Sequence, residues 1–217
     1  MSFITTTPPE AARDDVAAMY RRQQDSWGYV PNYARVFCHR PEVMARWGAL
    51  LAEIKRPMER RRFELATFAA AHELRNSACA LAHGRALREW FDDARLVAIA
   101  ERREHEVLGA AEQALVRFAR QIAHDASAVT ATQVAALRSH GYTDAEVFDV
   151  VAAVAARSFF TRMLDGLGVQ MDSAFLALAE PLRQAFTVGR PIDTAPPTRL
   201  PDPPAPGPSL IGGTLGC

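Results

Sequence analysis

Three side chains capable of thiol and acid–base chemistry lie within one short, mostly apolar stretch of the chain, residues 62–85. They are one carboxylic acid, one thiol and one imidazole: Glu64, Cys79 and His83. Cys79 and His83 are four residues apart, about one helical turn, so both side chains are expected on one face of a helix. A thiol accompanied by a base and an acid is the set that activates a nucleophilic cysteine. The stretch therefore predicts a reactive cysteine at position 79.

Two helices must position these side chains. Residues 65–71 contain only Ala, Leu, Phe and Thr, which is typical of a helix buried on most faces. Glu64 enters that helix and needs a partner, because an unpaired buried charge is costly. Asn76 and Ser77 are good N-cap residues and predict the start of a second helix. Cys79 then falls in the first turn, where the helix dipole is expected to lower the pKa of the thiol.

The same stretch resembles the motif of the carboxymuconolactone decarboxylase and alkylhydroperoxidase D (AhpD-like) family, a Glu followed on the next helix by Cys-x-x-Cys-x-x-x-His. Glu64 precedes Cys79 by fifteen residues and His83 by nineteen, which is the family's spacing. Three more segments resemble the peroxidase-related branch of the family: residues 28–32 (GYVPN), 40–51 (RPEVMARWGALL) and 159–168 (FFTRMLDGLG). The resemblance covers roughly residues 15–170 and implies a compact AhpD-like helical bundle that forms a homo-oligomer.

One motif position departs from the family, since Asn76 stands where the first cysteine would be. In the dithiol members the second cysteine attacks the peroxide and the first resolves the sulfenic acid as a disulfide. The resemblance therefore implies that Cys79 attacks a hydroperoxide while Glu64 and His83 relay protons. Without a neighbouring thiol, an external thiol reductant would regenerate Cys79. Cys38 and Cys217 are the alternative resolving thiols.

Other interpretations stay open at this point. Decarboxylases of the carboxymuconolactone kind lack the cysteine pair and act on a dicarboxylate, for which Arg75 and Arg85 flank the motif. A non-catalytic role as the cargo of a protein shell is a further alternative. His72, eight residues after Glu64, either faces the same cavity or is structural. The basic run at residues 60–62 indicates an anion site at a pocket mouth or, more commonly, a solvated helix face.

Composition argues against several classes of protein. The 25 basic and 25 acidic residues balance to a formal charge of zero, which gives no electrostatic case for nucleic acid or an anionic membrane. We see no signal peptide and no apolar run long enough to span a bilayer. Three cysteines without paired spacing indicate a reducing compartment, so we expect a cytoplasmic protein. No metal-ligand pair or phosphate loop is recognisable, so no metal and no cofactor is predicted.

Helical periodicity continues through residues 1–188, and strand signals are absent, which predicts one all-α bundle domain. Thr7, Pro8 and Pro9 resemble a cap and first turn for a helix through about Arg22. The longest helix is expected within residues 144–168.

The C-terminal end changes in composition. Residues 191–208 hold eight of the fourteen prolines, which predicts a disordered, extended linker over residues 189–208. The last nine residues, 209–217, are mildly apolar again and resemble the targeting peptides of encapsulin cargo proteins. The corresponding positions are Leu210, Gly213, Thr214 and Leu215. The resemblance implies docking to an encapsulin shell and residence inside that nanocompartment; the alternative is a tail without a role.

Overall fold

The computed structural model of the chain describes residues 2–200, and within them the fold is all-α, as predicted. The ten α-helices of this range are α1 (Asp14–Trp27), α2 (Asn32–Val36), α3 (Pro41–Lys55), α4 (Arg60–Glu73), α5 (Ser77–Leu87), α6 (Asp93–Ala100), α7 (Ala110–Asp125), α8 (Ala131–Ser139), α9 (Asp144–Gly166) and α10 (Glu180–Phe186). Two isolated bridges, Val30 with Thr198 and Met171 with Ile192, are the β-pairing in this range.

Helix α4 is the centre of the bundle and packs against α5, α7 and α9. Every residue from Phe63 to Ala71 is buried, which confirms the prediction of a helix covered on most faces. Small alanine side chains let the surrounding helices approach closely, and the aromatic rings of Phe63 and Phe68 fill the remaining space. Glu64 is therefore held in the interior by a helix that is packed on most of its faces.

Helix α5 begins where the sequence predicts. The side chain of Asn76 caps it by accepting a hydrogen bond from the backbone N–H of Cys79, at 2.8 Å. Farther along, α5 packs directly on α10: a Cβ added at Gly84 would overlap the ring of Phe186, which is fully buried. The contact between Gly84 and Phe186 therefore sets the distance between these two helices.

The predicted start of the first helix is wrong. Residues 9–11 form a separate turn of 3₁₀-helix, and Ala12 and Arg13 have extended backbone angles that end it. Helix α1 begins only at Asp14, where two aspartates in the first turn complement the helix dipole. It continues past Arg22 to Trp27, because Gly28 supplies the left-handed conformation (φ 79°) that terminates a helix. The longest helix, α9, spans 23 residues within the predicted range.

The chain after α10 lies against the bundle as far as it is described. Gly189 N–H donates to Ser77 Oγ at 2.8 Å, and Leu200 N–H donates to the Gln24 side chain at 2.6 Å. The division into a domain at residues 1–188, a linker and a docking peptide stays a prediction. No helix in the described part of the chain is long and apolar enough to cross a membrane.

Candidate functional site

A cavity of about 370 Å³ opens between α3, α5, α9 and the segments that follow α1 and α9. All three predicted site residues, Glu64, Cys79 and His83, line it. Its volume lies within the roughly 300–1,000 Å³ typical of small-molecule sites. The other lining residues are Trp27, Tyr33, Trp47, Ala78, Ala82, Arg85, Ala86, Arg157, Phe160, Leu164, Met171 and Asp172.

Glu64 and His83 form a tight pair across the α4–α5 interface. The Nδ1 of His83 lies 2.6 Å from Oε2 of Glu64 and 3.2 Å from the hydroxyl oxygen of Thr67. The Thr67 hydroxyl donates to the backbone carbonyl of Phe63, which leaves its oxygen free to accept. We therefore assign the ring proton to Nδ1, with Nε2 as the unprotonated nitrogen. The second carboxylate oxygen of Glu64 lies 3.4 Å from Nζ of Lys55.

The environment fixes the charges of this pair. Burial would raise the pKa of Glu64, but the hydrogen bond from His83 and the ammonium group of Lys55 outweigh it, so the net shift is downward. Burial also lowers the pKa of His83, and the Arg157 guanidinium lowers it further, against the opposing influence of Glu64. At neutral pH the pair is thus a carboxylate and a neutral imidazole, which is the state of a general base.

Cys79 lies in the first turn of α5, one turn before His83, with only 3% of its surface exposed. Burial raises the pKa of the thiol, whereas the Arg157 guanidinium, whose Nη1 lies 3.6 Å from Sγ, acts in the opposite direction. The expectation of a lowered thiol pKa from the helix dipole is therefore wrong, because removal from water outweighs the favourable charges around the sulfur. The resting residue is a thiol, so a nucleophilic reaction at this sulfur would require a base.

Arg157 is the main functional candidate that the sequence reasoning missed. It belongs to α9, is 5% exposed, and lies 5.8 Å from the ring of Trp47 and 5.7 Å from that of Phe160. Its Nε has no hydrogen-bond partner in the described structure. A lone arginine within the apolar run VVAAVAARSFF was the signal that could have marked it, since buried arginines require a reason.

One wall of the cavity is aromatic. Trp47 stacks on Phe160 with their ring centroids 4.1 Å apart and planes at 9°, and Tyr33 meets Phe160 edge-on at 5.5 Å. Trp27 continues the wall and contacts Tyr33. The sequence places these rings in or beside the segments 28–32, 40–51 and 159–168, but the pattern alone did not show that they share a cavity.

Arg85 and Asp172 complete the charged lining. Arg85 is exposed and lies over the rings of Phe175 and Trp27, at 4.4 and 5.1 Å. Asp172 is buried and accepts a hydrogen bond from the backbone N–H of Asn32 at 2.8 Å. Burial raises the pKa of Asp172 to about 6, despite that hydrogen bond.

Several residues singled out from the sequence lie elsewhere. Cys38 is buried and free, but its sulfur accepts a hydrogen bond from the backbone of Thr7 at 3.3 Å and does not line the cavity. His72 lies 3.2 Å from the Ala185 carbonyl, outside the cavity lining. Arg75 is exposed and likewise absent from the lining.

The basic run at residues 60–62 is not a free cationic patch. Each arginine is paired with a carboxylate and lies over an aromatic ring. The pairs are Arg60 with Glu89 and Trp90, Arg61 with Glu112 and Phe91, and Arg62 with Glu146 and Tyr142. The anion-site interpretation is wrong, and these side chains serve as partly exposed helix-packing contacts.

The tail positions Leu210, Gly213, Thr214 and Leu215, together with Cys217, lie outside the described residues. Within residues 2–200 no group of three or more His, Cys, Asp or Glu side chains is arranged to hold a metal ion.

Comparison with solved structures defines the fold class as that of the AhpD-like, peroxidase-related proteins. One such structure, an uncharacterised peroxidase-related protein from Ralstonia eutropha JMP134 described as an alkylhydroperoxidase AhpD core, matches with a TM-score of 0.70 and 23% identity over 87% of this chain and 98% of its own. A peroxidase-related protein from Silicibacter sp. TM1040 matches with a TM-score of 0.68 and 16% identity, covering 79% of this chain and 94% of its own.

The fold also occurs with another activity. A variant of the debrominase Bmp8, solved in complex with 2,3,4-tribromopyrrole, matches with a TM-score of 0.67 and 16% identity over 85% of this chain and 100% of its own. No protein-family model matches the sequence, and no curated protein matches it significantly. The fold is therefore shared by proteins of different function, and the activity must be argued from the site.

Proposed function

We propose that the protein is a one-cysteine, thiol-dependent peroxidase that reduces organic hydroperoxides at Cys79. The observation that carries the proposal is the coincidence of three groups in one cavity: a buried thiol, a neutral histidine one turn away, and a carboxylate bonded to that histidine at 2.6 Å. The AhpD-like fold of the chain supports it. A purely structural cysteine would need neither the base nor the cavity.

In the proposed reaction, His83 Nε2 accepts the thiol proton as the sulfur attacks the distal peroxide oxygen. The O–O bond breaks, an S–O bond forms, and the proton passes to the departing alkoxide, giving Cys79 sulfenic acid and an alcohol. Glu64 stabilises the transient imidazolium through the Nδ1 hydrogen bond. Arg157 stabilises negative charge on the sulfur from 3.6 Å.

An external thiol closes the cycle. Asn76 replaces the first cysteine of the dithiol motif, and Cys38 does not line the cavity, so neither provides a neighbouring thiol. A small thiol or a reduced protein thiol condenses with the sulfenic acid to give a mixed disulfide and water. A second thiol then releases Cys79 and forms the external disulfide. The two electrons that reduce the peroxide therefore come from two external thiols.

Steady-state consumption of cumene hydroperoxide with dithiothreitol as reductant tests the proposal. Wild type should exceed Cys79→Ser by at least about tenfold, and Cys38→Ser should match wild type, because Cys38 lies outside the cavity. Equal rates in wild type and Cys79→Ser would refute the assignment.

A decarboxylase of the carboxymuconolactone kind is the second candidate. Arg85, one of the two arginines flanking the motif, lines the cavity, as a dicarboxylate substrate would require. Lactone turnover that survives Cys79→Ser would support this candidate over the first.

Two assembly proposals are independent of the chemistry. Exposed apolar side chains on α3 and α9, among them Leu50 and Phe159, favour self-association, to be measured as the mass in solution by light scattering. Encapsulin docking through residues 209–217 is supported by sequence resemblance alone, and it requires that deletion of those residues abolish loading while leaving the helical fold intact.

A further inference from the structure

Of the charged side chains that line the cavity, the carboxylates have partners and the guanidinium groups lack a counter-ion in the described part of the chain. Both carboxylates are engaged: Glu64 by His83 and Lys55, and Asp172 by the backbone N–H of Asn32. The two guanidinium groups are not. Within the described residues no carboxylate pairs with either Arg157 or Arg85.

Arg157 is the more demanding of these cations. Only 5% of its surface is exposed. Among the described residues its Nε has no hydrogen-bond partner, and its one polar contact is a long one, to the sulfur of Cys79. A guanidinium stays charged in a protein, and a buried charge without a counter-ion is strongly destabilising. A ligand that carries a carboxylate would supply the missing counter-ion, since a guanidinium binds a carboxylate through two parallel hydrogen bonds.

The shape of the cavity restricts what carries that anion. Beside Arg157 stand the stacked rings of Trp47 and Phe160, with Tyr33 edge-on to Phe160. Such a wall favours a flat ring, which can stack or meet an edge, over a flexible chain. Arg85, exposed over Trp27 and Phe175, adds positive charge near the opening and attracts anions toward it.

From this juxtaposition we infer that the Cys79 cavity recognises a flat aromatic carboxylate, held by the Arg157 guanidinium and the Trp47–Phe160 wall. In the setting of the proposed function, the substrate is an aromatic acid that bears a hydroperoxide group. Binding of the acid does not depend on the proposed function, because it does not require the thiol. Only the reaction of the bound acid rests on that function.

Binding of benzoate and of benzamide, measured by calorimetry on Cys79→Ser, separates recognition from chemistry. The two probes have nearly the same size and shape and differ in charge. Benzoate should bind at least about tenfold more tightly than benzamide, and more tightly than inorganic phosphate. Equal affinities for benzoate and benzamide, absence of benzoate binding, or phosphate binding as tight as benzoate would overturn the inference.

Arginine variants locate the contact. Arg157→Gln should lose the preference for benzoate, and Arg157→Lys should keep part of it, because the charge remains while the paired hydrogen bonds are lost. Arg162→Gln, an exposed arginine on the same helix, is the matched control and should bind as Cys79→Ser alone does. An unchanged preference in a folded Arg157→Gln would overturn the assignment to Arg157. If Arg157→Gln fails to fold, the comparison of benzoate with benzamide on Cys79→Ser alone still tests the inference.

Turnover supplies the link to the reaction. Wild type should reduce the 4-carboxy derivative of cumene hydroperoxide with a kcat/KM at least about tenfold above that for cumene hydroperoxide itself. Because both peroxides react at the same sulfur, the ratio of their kcat/KM values cancels any effect of Arg157 on that sulfur. A ratio of one with both peroxides reduced would contradict the substrate class and leave the peroxidase intact. Failure to reduce either peroxide, with benzoate still bound, would contradict the peroxidase and leave the recognition site intact.

Discussion

Nδ1 of His83 lies 2.6 Å from Oε2 of Glu64, although nineteen residues and a helix boundary separate them in sequence. The contact exists because α4 and α5 pack face to face, and the cap at Asn76 sets where α5 begins. It places a partly buried imidazole, bonded to a buried carboxylate, in the same cavity as a thiol that is itself protonated at rest. The proposed chemistry therefore depends on this pair as well as on the thiol.

The pH dependence of Cys79 reactivity follows from the pKa shift. Because burial raises the pKa of the thiol, the alkylation rate should still be rising with pH where an ordinary cysteine has reached its plateau. Arg157 opposes that shift, so Arg157→Gln should move the midpoint to higher pH. Iodoacetamide labelling followed by mass spectrometry measures both, with Arg162→Gln as the control. A wild-type midpoint at or below that of a free cysteine would contradict the account.

Asn76→Cys should convert the chemistry from one cysteine to two. The side chain at this position caps the helix turn that holds Cys79, and the family resemblance places a resolving thiol there. After peroxide treatment the variant should lose two hydrogens in mass as a disulfide forms, while wild type gains oxygen. The lost cap should lower the unfolding free energy by about 1 kcal/mol. A variant that only accumulates sulfenic acid would show that the thiols at positions 76 and 79 cannot meet.

Asp172→Asn should stabilise the protein in a pH-dependent manner. The pKa of Asp172 is about 6 in the fold against an ordinary value of 3.8, so the folded state binds the extra proton between those values. Stability from this group is therefore greatest at low pH and decreases as pH rises through about 6. The variant should gain on the order of 2 kcal/mol near pH 7 and no advantage near pH 3.5, measured by urea unfolding. An advantage that does not change with pH would contradict the assignment.

Gly84→Ala should destabilise the bundle by roughly 2 kcal/mol, because the added methyl group overlaps the buried ring of Phe186. Gly48→Ala is the matched control within a helix: nothing lies within 4 Å of its added Cβ, so better helix propensity should stabilise by about 0.5–1 kcal/mol. Thermal unfolding of both variants measures the contrast. Equal shifts of the two melting temperatures would show that α5 and α10 do not approach as closely as described.

Local patterns predicted much of this architecture. The apolar run at residues 65–71 and the Asn76 cap were sufficient to place α4 and α5, because burial and capping leave direct marks in sequence. The start of α1 was not predictable from Thr7–Pro9, since Ala12 and Arg13 adopt extended angles although both residue types are good helix formers. Helical spacing predicted that Cys79 and His83 share a face, and the resemblance placed Glu64 with them.

What the sequence did not reveal depends on contacts across the bundle. Arg157 lies 78 residues after Cys79, and it approaches the sulfur because α9 and α5 both pack against α4. The same holds for the balance of forces on the thiol: a helix start predicts a lower pKa, but only the packed structure shows that burial outweighs it. Conversely, the basic run at residues 60–62 suggested an anion site, but each of its arginines is paired with a carboxylate of the protein itself.

The most direct test of the central claim is the intact mass of the reduced protein after hydrogen peroxide treatment, with dimedone present to trap sulfenic acid. Wild type, Cys79→Ser, Cys38→Ser and Glu64→Gln are compared. The account predicts one dimedone adduct in wild type and Cys38→Ser, none in Cys79→Ser, and formation at least about tenfold slower in Glu64→Gln, because the base loses its partner. An adduct that persists in Cys79→Ser, or one that forms equally fast without Glu64, would contradict an activated thiol at this site.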